Sequence, residues 1–116
     1  YRPRVDFPSL AARAKGLIGF SGCLQGVIPQ HLLKGDEEGA RNWMGRFVEI
    51  FGRDRFVVEL QDHGLEEQAK IRPGLVRLAK EFGVRLVATN DAHYLAAEDS
   101  SAHDYLLCSG TGKVLS

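Results

Sequence analysis

The stretch Phe56-Val57-Val58-Glu59-Leu60-Gln61-Asp62-His63-Gly64 decides the fold. It begins with an apolar run that only Glu59 interrupts and ends in the segment Gln61-Asp62-His63-Gly64. We call such a polar segment at the end of an apolar run an exit. Continuous rather than alternating apolar residues are typical of strands covered on both faces, as in a parallel sheet. Short apolar runs also occur as buried helical segments, but the β-branched content and the flanking turns favour strands. Two further runs have the same form, residues 17–20 before Ser21-Gly22-Cys23 and residues 86–89 before Asn90-Asp91-Ala92-His93.

A helix is predicted between the first two runs. Asp36 can cap its beginning and Gly52 is a natural stop at its end. Six apolar residues between them recur at helical spacing and would form one core-facing stripe: Ala40, Trp43, Met44, Phe47, Val48 and Phe51.

A second helical pattern precedes the third run and ends at Gly83. We expect this helix to begin near Ile71 or Arg72, because that start places Pro73 in the first turn, where proline costs little. Shorter helical segments are predicted at residues 8–15, 29–33 and 98–108. Helices that alternate with buried strands predict an α/β fold with parallel strands.

The composition limits the class of protein and its partners. With 116 residues, the chain is one domain at most, or part of a larger one. The charges of its 15 basic and 15 acidic residues cancel, so we do not expect this segment alone to bind nucleic acid tightly. No apolar stretch approaches the roughly 20 residues of a membrane span. Cys23 and Cys108 would pair in a secreted protein, but no other feature points to secretion, and we favour a reducing cytoplasm.

The polar exits of the three runs are the candidate functional residues, since ligands collect at the carboxyl ends of parallel strands. In an extended segment Asp91 and His93 would point the same way and could bind a metal ion or form an acid–base pair. Alternatively, Asp91 caps a turn and His93 is an ordinary loop histidine. The thiolate of Cys23 could bind a metal ion such as zinc, or Cys23 could be a small buried apolar residue.

Glu59 and His63 complete these exits. An unpaired carboxylate would be costly to bury, so we expect Glu59 to reach solvent or a partner at the rim. For both residues, a functional role and a structural hydrogen bond fit the sequence equally well. Cys108, His31 and His103 lie on helical stretches and are assigned to packing or to solvent-exposed faces.

Four segments resemble the PHP (polymerase and histidinol phosphatase) domain of bacterial DNA polymerase III alpha subunits. They are residues 21–26, 58–64, 88–94 and 103–108, which read SGCLQG, VELQDHG, ATNDAHY and HDYLLC. The opening Arg2-Pro3-Arg4-Val5-Asp6 and the closing Thr111-Gly112-Lys113 fit the same family in the same order. We therefore expect residues 1–116 to be the C-terminal portion of a PHP domain, a single and incomplete domain.

The resemblance implies part of a distorted (β/α)7 TIM-like barrel with parallel strands and divalent metal ions, zinc or manganese, at its carboxyl rim. Cys23, Asp91 and His93 match metal-ligand positions of the family. Glu59 and His63 belong to its motif and are expected to surround the ligands, not to bind metal themselves. The family's earlier ligands, a His-x-His pair among them, have no counterpart here, so we do not expect this chain to assemble the complete site.

The implied function is that of a segment of a bacterial replicative DNA-directed DNA polymerase, whose PHP domain is a metal-dependent phosphoesterase linked to 3′–5′ exonuclease proofreading. The alternative is a catalytically inactive scaffold that braces the polymerase, as in family members that have lost ligands. The implied partners are DNA through the parent polymerase, the rest of that polymerase and other replisome subunits, without a membrane. An unpaired sheet edge and exposed apolar surface would also favour self-association of the isolated chain.

Overall fold

Helices and strands alternate along the chain in a computed structural model, which describes residues 4–115. Arg2 and Pro3 of the opening motif lie outside the described residues. The predicted α/β class is confirmed, and the strands lie where the apolar runs predict them. The elements in chain order are α1 (Phe7–Arg13), β1 (Gly19–Phe20), α2 (Val27–Leu33), α3 (Glu37–Phe51), β2 (Phe56–Leu60), α4 (Glu66–Phe82), β3 (Arg85–Ala88), a 3-10 turn (Ala97–Asp99) and α5 (Ser100–Thr111).

The three strands form one parallel sheet in the order β1-β2-β3. Gly19 pairs with Phe56, and Val58 pairs with Leu86. Helices α2 and α3 connect β1 to β2, and α4 connects β2 to β3, because parallel neighbours cannot be joined by a tight turn. All three carboxyl ends therefore meet at one edge of the sheet.

One face of the sheet carries the helices and the core. Helices α1 to α4 form one connected layer, and Phe56 and Val58 pack into it with almost no exposed surface. The opposite side carries the alternate residues, among them Phe20, which is exposed, and Val57, which is buried, and we call it the open face because no helix of the α1 to α4 layer covers it. The expectation that all strands are covered on both faces is wrong for the edge strands of this structure: Phe20 on the open face is 53% exposed, and Leu86, which pairs with the core residue Val58, is 44% exposed.

A helical layer on one face only is the arrangement of a barrel wall, whereas a doubly wound sheet carries helices on both faces. The described residues thus form a three-stranded parallel sheet consistent with part of a TIM-like barrel.

Helix α3 confirms the stripe predicted from the sequence. The Asp36 carboxylate accepts a 2.8 Å hydrogen bond from the backbone N–H of Gly39, and Gly52 ends the helix at a φ of 79°. Phe47 stacks on Phe56 of β2 with ring centroids 5.3 Å apart, which fixes the helix on the sheet.

Helix α4 begins earlier than the sequence predicts. The expected start near Ile71 or Arg72 is wrong, because the helix begins at Glu66 and holds Pro73 in its interior. The early turns are stabilised by burial of Gln68 and Ile71, which are 5% exposed. Proline has no N–H to donate to the backbone carbonyl four residues earlier, that of Ala69. Pro73 and Ala69 are both exposed, so water can hydrate this carbonyl.

Helix α5 is largely exposed. None of its residues is buried, and Tyr105 and Leu106 are 67% and 70% exposed. Cys108 on this helix and Cys23 are both free thiols. Within residues 4–115, no helix combines the length and the apolar character needed to cross a membrane.

Candidate metal site at the carboxyl ends of the strands

Glu59 connects the carboxyl ends of all three strands. Its backbone N–H donates a 2.9 Å hydrogen bond to the hydroxyl of Ser21, directly after β1. Its carboxylate accepts a hydrogen bond from the Thr89 hydroxyl, directly after β3. The amide of Gln61 donates to the same carboxylate oxygen at 3.2 Å. Glu59 therefore reaches partners at the rim, as its position in an apolar run requires.

Cys23 lies in a glycine-dependent turn between β1 and α2. Gly22 adopts a φ of 79°, and a Cβ on Gly26 would lie 2.2 Å from the Ser21 carbonyl oxygen. The thiol is half-buried, and with Glu59 it lines a cavity of about 20 Å³. Such a cavity has room for about one water molecule. The turn thus presents Cys23 toward the rim instead of burying it in the core.

Asp91 and His93 follow β3 in a bent segment. The extended backbone expected for this segment is wrong at Asp91, which adopts a φ of 51°. His93 Nδ1 lies 2.6 Å from the Asp91 carbonyl oxygen, so Nδ1 carries the proton and donates to it. That hydrogen bond leaves Nε2 as the ring nitrogen with a free lone pair. Both residues are exposed.

His63 joins the exits of β2 and β3. Gln68 of α4 accepts a 2.7 Å hydrogen bond from the His63 backbone N–H and donates a 2.9 Å bond to His63 Nδ1. His63 Nε2 lies 3.1 Å from the carbonyl oxygen of Asn90 and donates to it. Both ring nitrogens are therefore engaged by protein atoms, which suits a supporting role better than metal ligation.

His103 packs against the same segment from α5. Its ring centroid lies 5.7 Å from that of His93 and 5.2 Å from that of Tyr94. The packing role expected for His103 thus falls next to the candidate ligand His93.

The structure brings the predicted ligands to one edge without closing them around one point. Within residues 4–115, no three His, Cys, Asp or Glu side chains lie close enough together to hold a metal ion. Cys23 follows β1, whereas Asp91 and His93 follow β3 on the other side of β2. Two strand spacings amount to about 10 Å, while two ligands of one zinc ion lie within about 4.5 Å of each other. Cys23 could share an ion with His93 only if their loops moved together.

Known proteins share this sequence pattern. Residues 1–63, more than half of the chain, match the model of the PHP domain family. The chain belongs to the PHP domain family. The match includes Cys23, Glu59 and His63, while Asp91 and His93 lie beyond its end.

Curated proteins are similar to this chain over almost its whole length, which we call the PHP segment. The chain is 48% identical over 113 residues to the DNA polymerase III subunit alpha of Treponema pallidum, covering 97% of this chain and 10% of that protein. It is 44% identical over 115 residues to that of Deinococcus radiodurans, covering 99% and 8%. For Thermus aquaticus the identity is 44% over 106 residues, covering 91% and 9%. The chain thus spans about a tenth of the length of these relatives.

Three residues of this PHP segment that the sequence does not single out complete the site. Ser21 and Thr89 bond to Glu59, and Gln68 bonds to His63. Ser21, directly after the first apolar run, and Thr89, the last residue of the third, could have been found from these positions, where hydroxyls can replace ladder hydrogen bonds. Gln68 lies five residues after His63 and is missed because the sequence-based start of α4 near Ile71 leaves it outside the helix.

Proposed function

We propose that this PHP segment is part of a bacterial DNA polymerase III alpha subunit, in which it forms the C-terminal portion of the PHP domain and one wall of its barrel. The observation that carries this proposal is identity of 44–48% over almost the whole chain to proteins of that name. DNA, the rest of the polymerase and other replisome subunits are then its partners, in the cytoplasm. Sequencing the gene on both sides of this segment tests it, and a reading frame without polymerase motifs would refute it.

Within that polymerase, Cys23, Asp91 and His93 are the proposed contributions of this segment to a zinc or manganese site. The donor chemistry fits, because a thiolate, a carboxylate and an imidazole are all ligands of zinc. His93 fits best: its Nδ1–H donates to a backbone carbonyl, which is the bond that orients a metal-bound histidine. Glu59 and His63 support these residues through hydrogen bonds to the strand exits.

The proposed chemistry is phosphodiester hydrolysis, as in 3′–5′ exonuclease proofreading. A divalent metal ion supplies Lewis-acid activation of the phosphodiester and of the attacking water. This chain's own part is to hold ligands at a rigid edge, with Glu59 fixing the three strand ends relative to one another. Two strand spacings separate Cys23 from Asp91 and His93, so the two groups belong to different ions unless their loops converge.

A scaffold that only braces the polymerase is the second candidate. The absence of a three-ligand group within residues 4–115 is compatible with either function, because the family's earlier ligands lie outside this segment. The two functions place different requirements on the rest of the protein, since a catalytic PHP domain must supply further metal ligands from outside this segment. An intact upstream His-x-His pair in the same gene would favour catalysis, and its loss would favour the scaffold.

Zinc titration of the chain tests the ligand assignment. Cys23→Ser and His93→Ala should each lower the zinc affinity by about tenfold or more, because a strong ligand is lost. Cys108→Ser is the matched control, since Cys108 is also a free, half-buried thiol and should leave the affinity unchanged. Equal affinities for all of these proteins would refute the assignment of Cys23 and His93.

A further inference from the structure

Gln68 is a buried polar side chain whose hydrogen bonds all go to one residue. It lies in the first turn of α4 and is only 5% exposed, and Ser21 is the other buried polar residue among those described. Its carbonyl oxygen accepts from the His63 backbone N–H at 2.7 Å, and its amide nitrogen lies 2.9 Å from His63 Nδ1. Burial of a polar side chain is costly without such bonds, so its position is specific.

These bonds fix the protonation pattern of the His63 ring. A backbone N–H can only donate, so the end of the Gln68 amide that faces it must be the carbonyl oxygen. The other end, the NH2 group, therefore donates to Nδ1, which must be unprotonated. The ring proton then resides on Nε2, where it is donated to the Asn90 carbonyl oxygen at 3.1 Å.

The Asn90 carbonyl is the link to the candidate ligand. Asn90 directly precedes Asp91, which is the only non-glycine residue with a positive φ among residues 4–115. Non-glycine residues adopt this conformation rarely and need the surroundings to hold them there. The hydrogen bond from His63 holds the peptide unit on the amino side of Asp91.

From this chain of contacts we infer that Gln68 is a positioning residue. Together with the Asn90 carbonyl it sets the His63 tautomer, and His63 in turn holds the Asn90–Asp91 turn that aims the Asp91 carboxylate and, through the Asp91 carbonyl, the His93 ring. The effect on metal binding rests on the proposed function, but the effect on the tautomer and the turn does not. Outer residues of this kind typically change metal affinity by about 10- to 100-fold.

Two substitutions separate this role from ordinary packing. Gln68→Leu keeps the apolar volume and removes both hydrogen bonds. Gln68→Glu keeps an acceptor for the His63 N–H but places a second acceptor at Nδ1, which draws a proton onto that nitrogen. Glu67→Leu is the control, because Glu67 is the adjacent, exposed residue of the same helical turn.

Long-range proton–nitrogen NMR spectra of the His63 ring give the direct readout. The unsubstituted chain should show the Nε2–H pattern, Gln68→Leu a mixture of tautomers, and Gln68→Glu a protonated Nδ1. Both Gln68 variants should also shift the Asn90 and Asp91 backbone resonances and weaken zinc binding by about tenfold. Glu67→Leu should do neither.

The possible failures are distinguishable. If both Gln68 variants retain the Nε2–H pattern and unshifted Asn90 and Asp91 resonances, the inference is overturned. If Gln68→Leu does not fold, Gln68→Glu alone decides, since it preserves size and polarity. If His93→Ala binds zinc as well as the unsubstituted chain while the tautomer changes as expected, the proposed metal site fails but the positioning of the Asp91 turn stands.

Discussion

The hydroxyl of Ser21 accepts a 2.9 Å hydrogen bond from the backbone N–H of Glu59. Strand β1 ends at Phe20, so this side chain takes the place that a backbone carbonyl would occupy if the strand continued. Ser21 is 6% exposed, and water does not readily replace it. The hydroxyl therefore terminates the ladder between β1 and β2 at the edge where the candidate ligands lie.

Ser21→Ala is expected to loosen this edge. The substitution leaves the Glu59 N–H without a partner in a partly buried setting, which costs about 1–3 kcal/mol. Urea unfolding should report that loss, and hydrogen exchange of the Glu59 amide should accelerate. Ser109→Ala is the control, because Ser109 is an exposed residue of α5 and should leave both measurements unchanged. Unaltered Glu59 exchange in Ser21→Ala would show that another group satisfies this amide.

The Asp36 cap gives the stability a specific dependence on pH. Its pKa lies below the ordinary value of 3.8, chiefly because the Gly39 N–H donates to the carboxylate and secondarily because of the bond to His31. A pKa lowered by folding means that the ionised form contributes stability, fully present above pH 3.8 and lost as the pH falls through the folded-state value.

Asp36→Asn isolates that contribution. Asparagine caps a helix about as well as aspartate but does not titrate. We therefore expect the melting temperature of the variant to fall less steeply than that of the unsubstituted chain below about pH 4. Thermal unfolding between about pH 2 and pH 7 measures this, with Asp104→Asn on the exposed face of α5 as control. Parallel curves for Asp36→Asn and the unsubstituted chain would contradict the assignment.

Local patterns predict the elements that local physics determines, and they fail where packing decides. Strand β2 is predicted by a continuous apolar run, and helix α3 by an apolar stripe between a capping residue and a terminal glycine. Each signal lies within its own element or directly beside it. The start of α4 at Glu66 is missed because Pro73 is expected in the first turn, whereas the structure holds it in the helix interior and buries Gln68 against His63, which lies five residues before Gln68. The positive φ of Asp91 is likewise held from outside, by a hydrogen bond that reaches across from the exit of β2.

The isolated chain is expected to self-associate through the open face. The whole chain has a solvent-accessible surface of 8469 Å², whereas a compact monomer of 12.8 kDa exposes about 6300 Å². The difference, about 2200 Å², is comparable to the area that a stable interface buries. Sedimentation should show a dimer or larger species, and Phe20→Ser on the open face should weaken it more than Tyr105→Ser on α5. A stable monomer at high concentration would contradict this prediction.

The isolated chain should have little or no exonuclease activity, even if the parent polymerase has it. Hydrolysis by a multi-metal phosphoesterase needs ions held in fixed geometry, and no three-ligand group forms within residues 4–115. The formal net charge of zero also provides no general attraction for a phosphate backbone. The measurement is cleavage of 3′-labelled single-stranded DNA with zinc or manganese, by the chain and by His93→Ala. Equal traces of cleavage in both would indicate a contaminating nuclease, whereas robust cleavage that His93→Ala abolishes would show that this segment assembles a working site by itself.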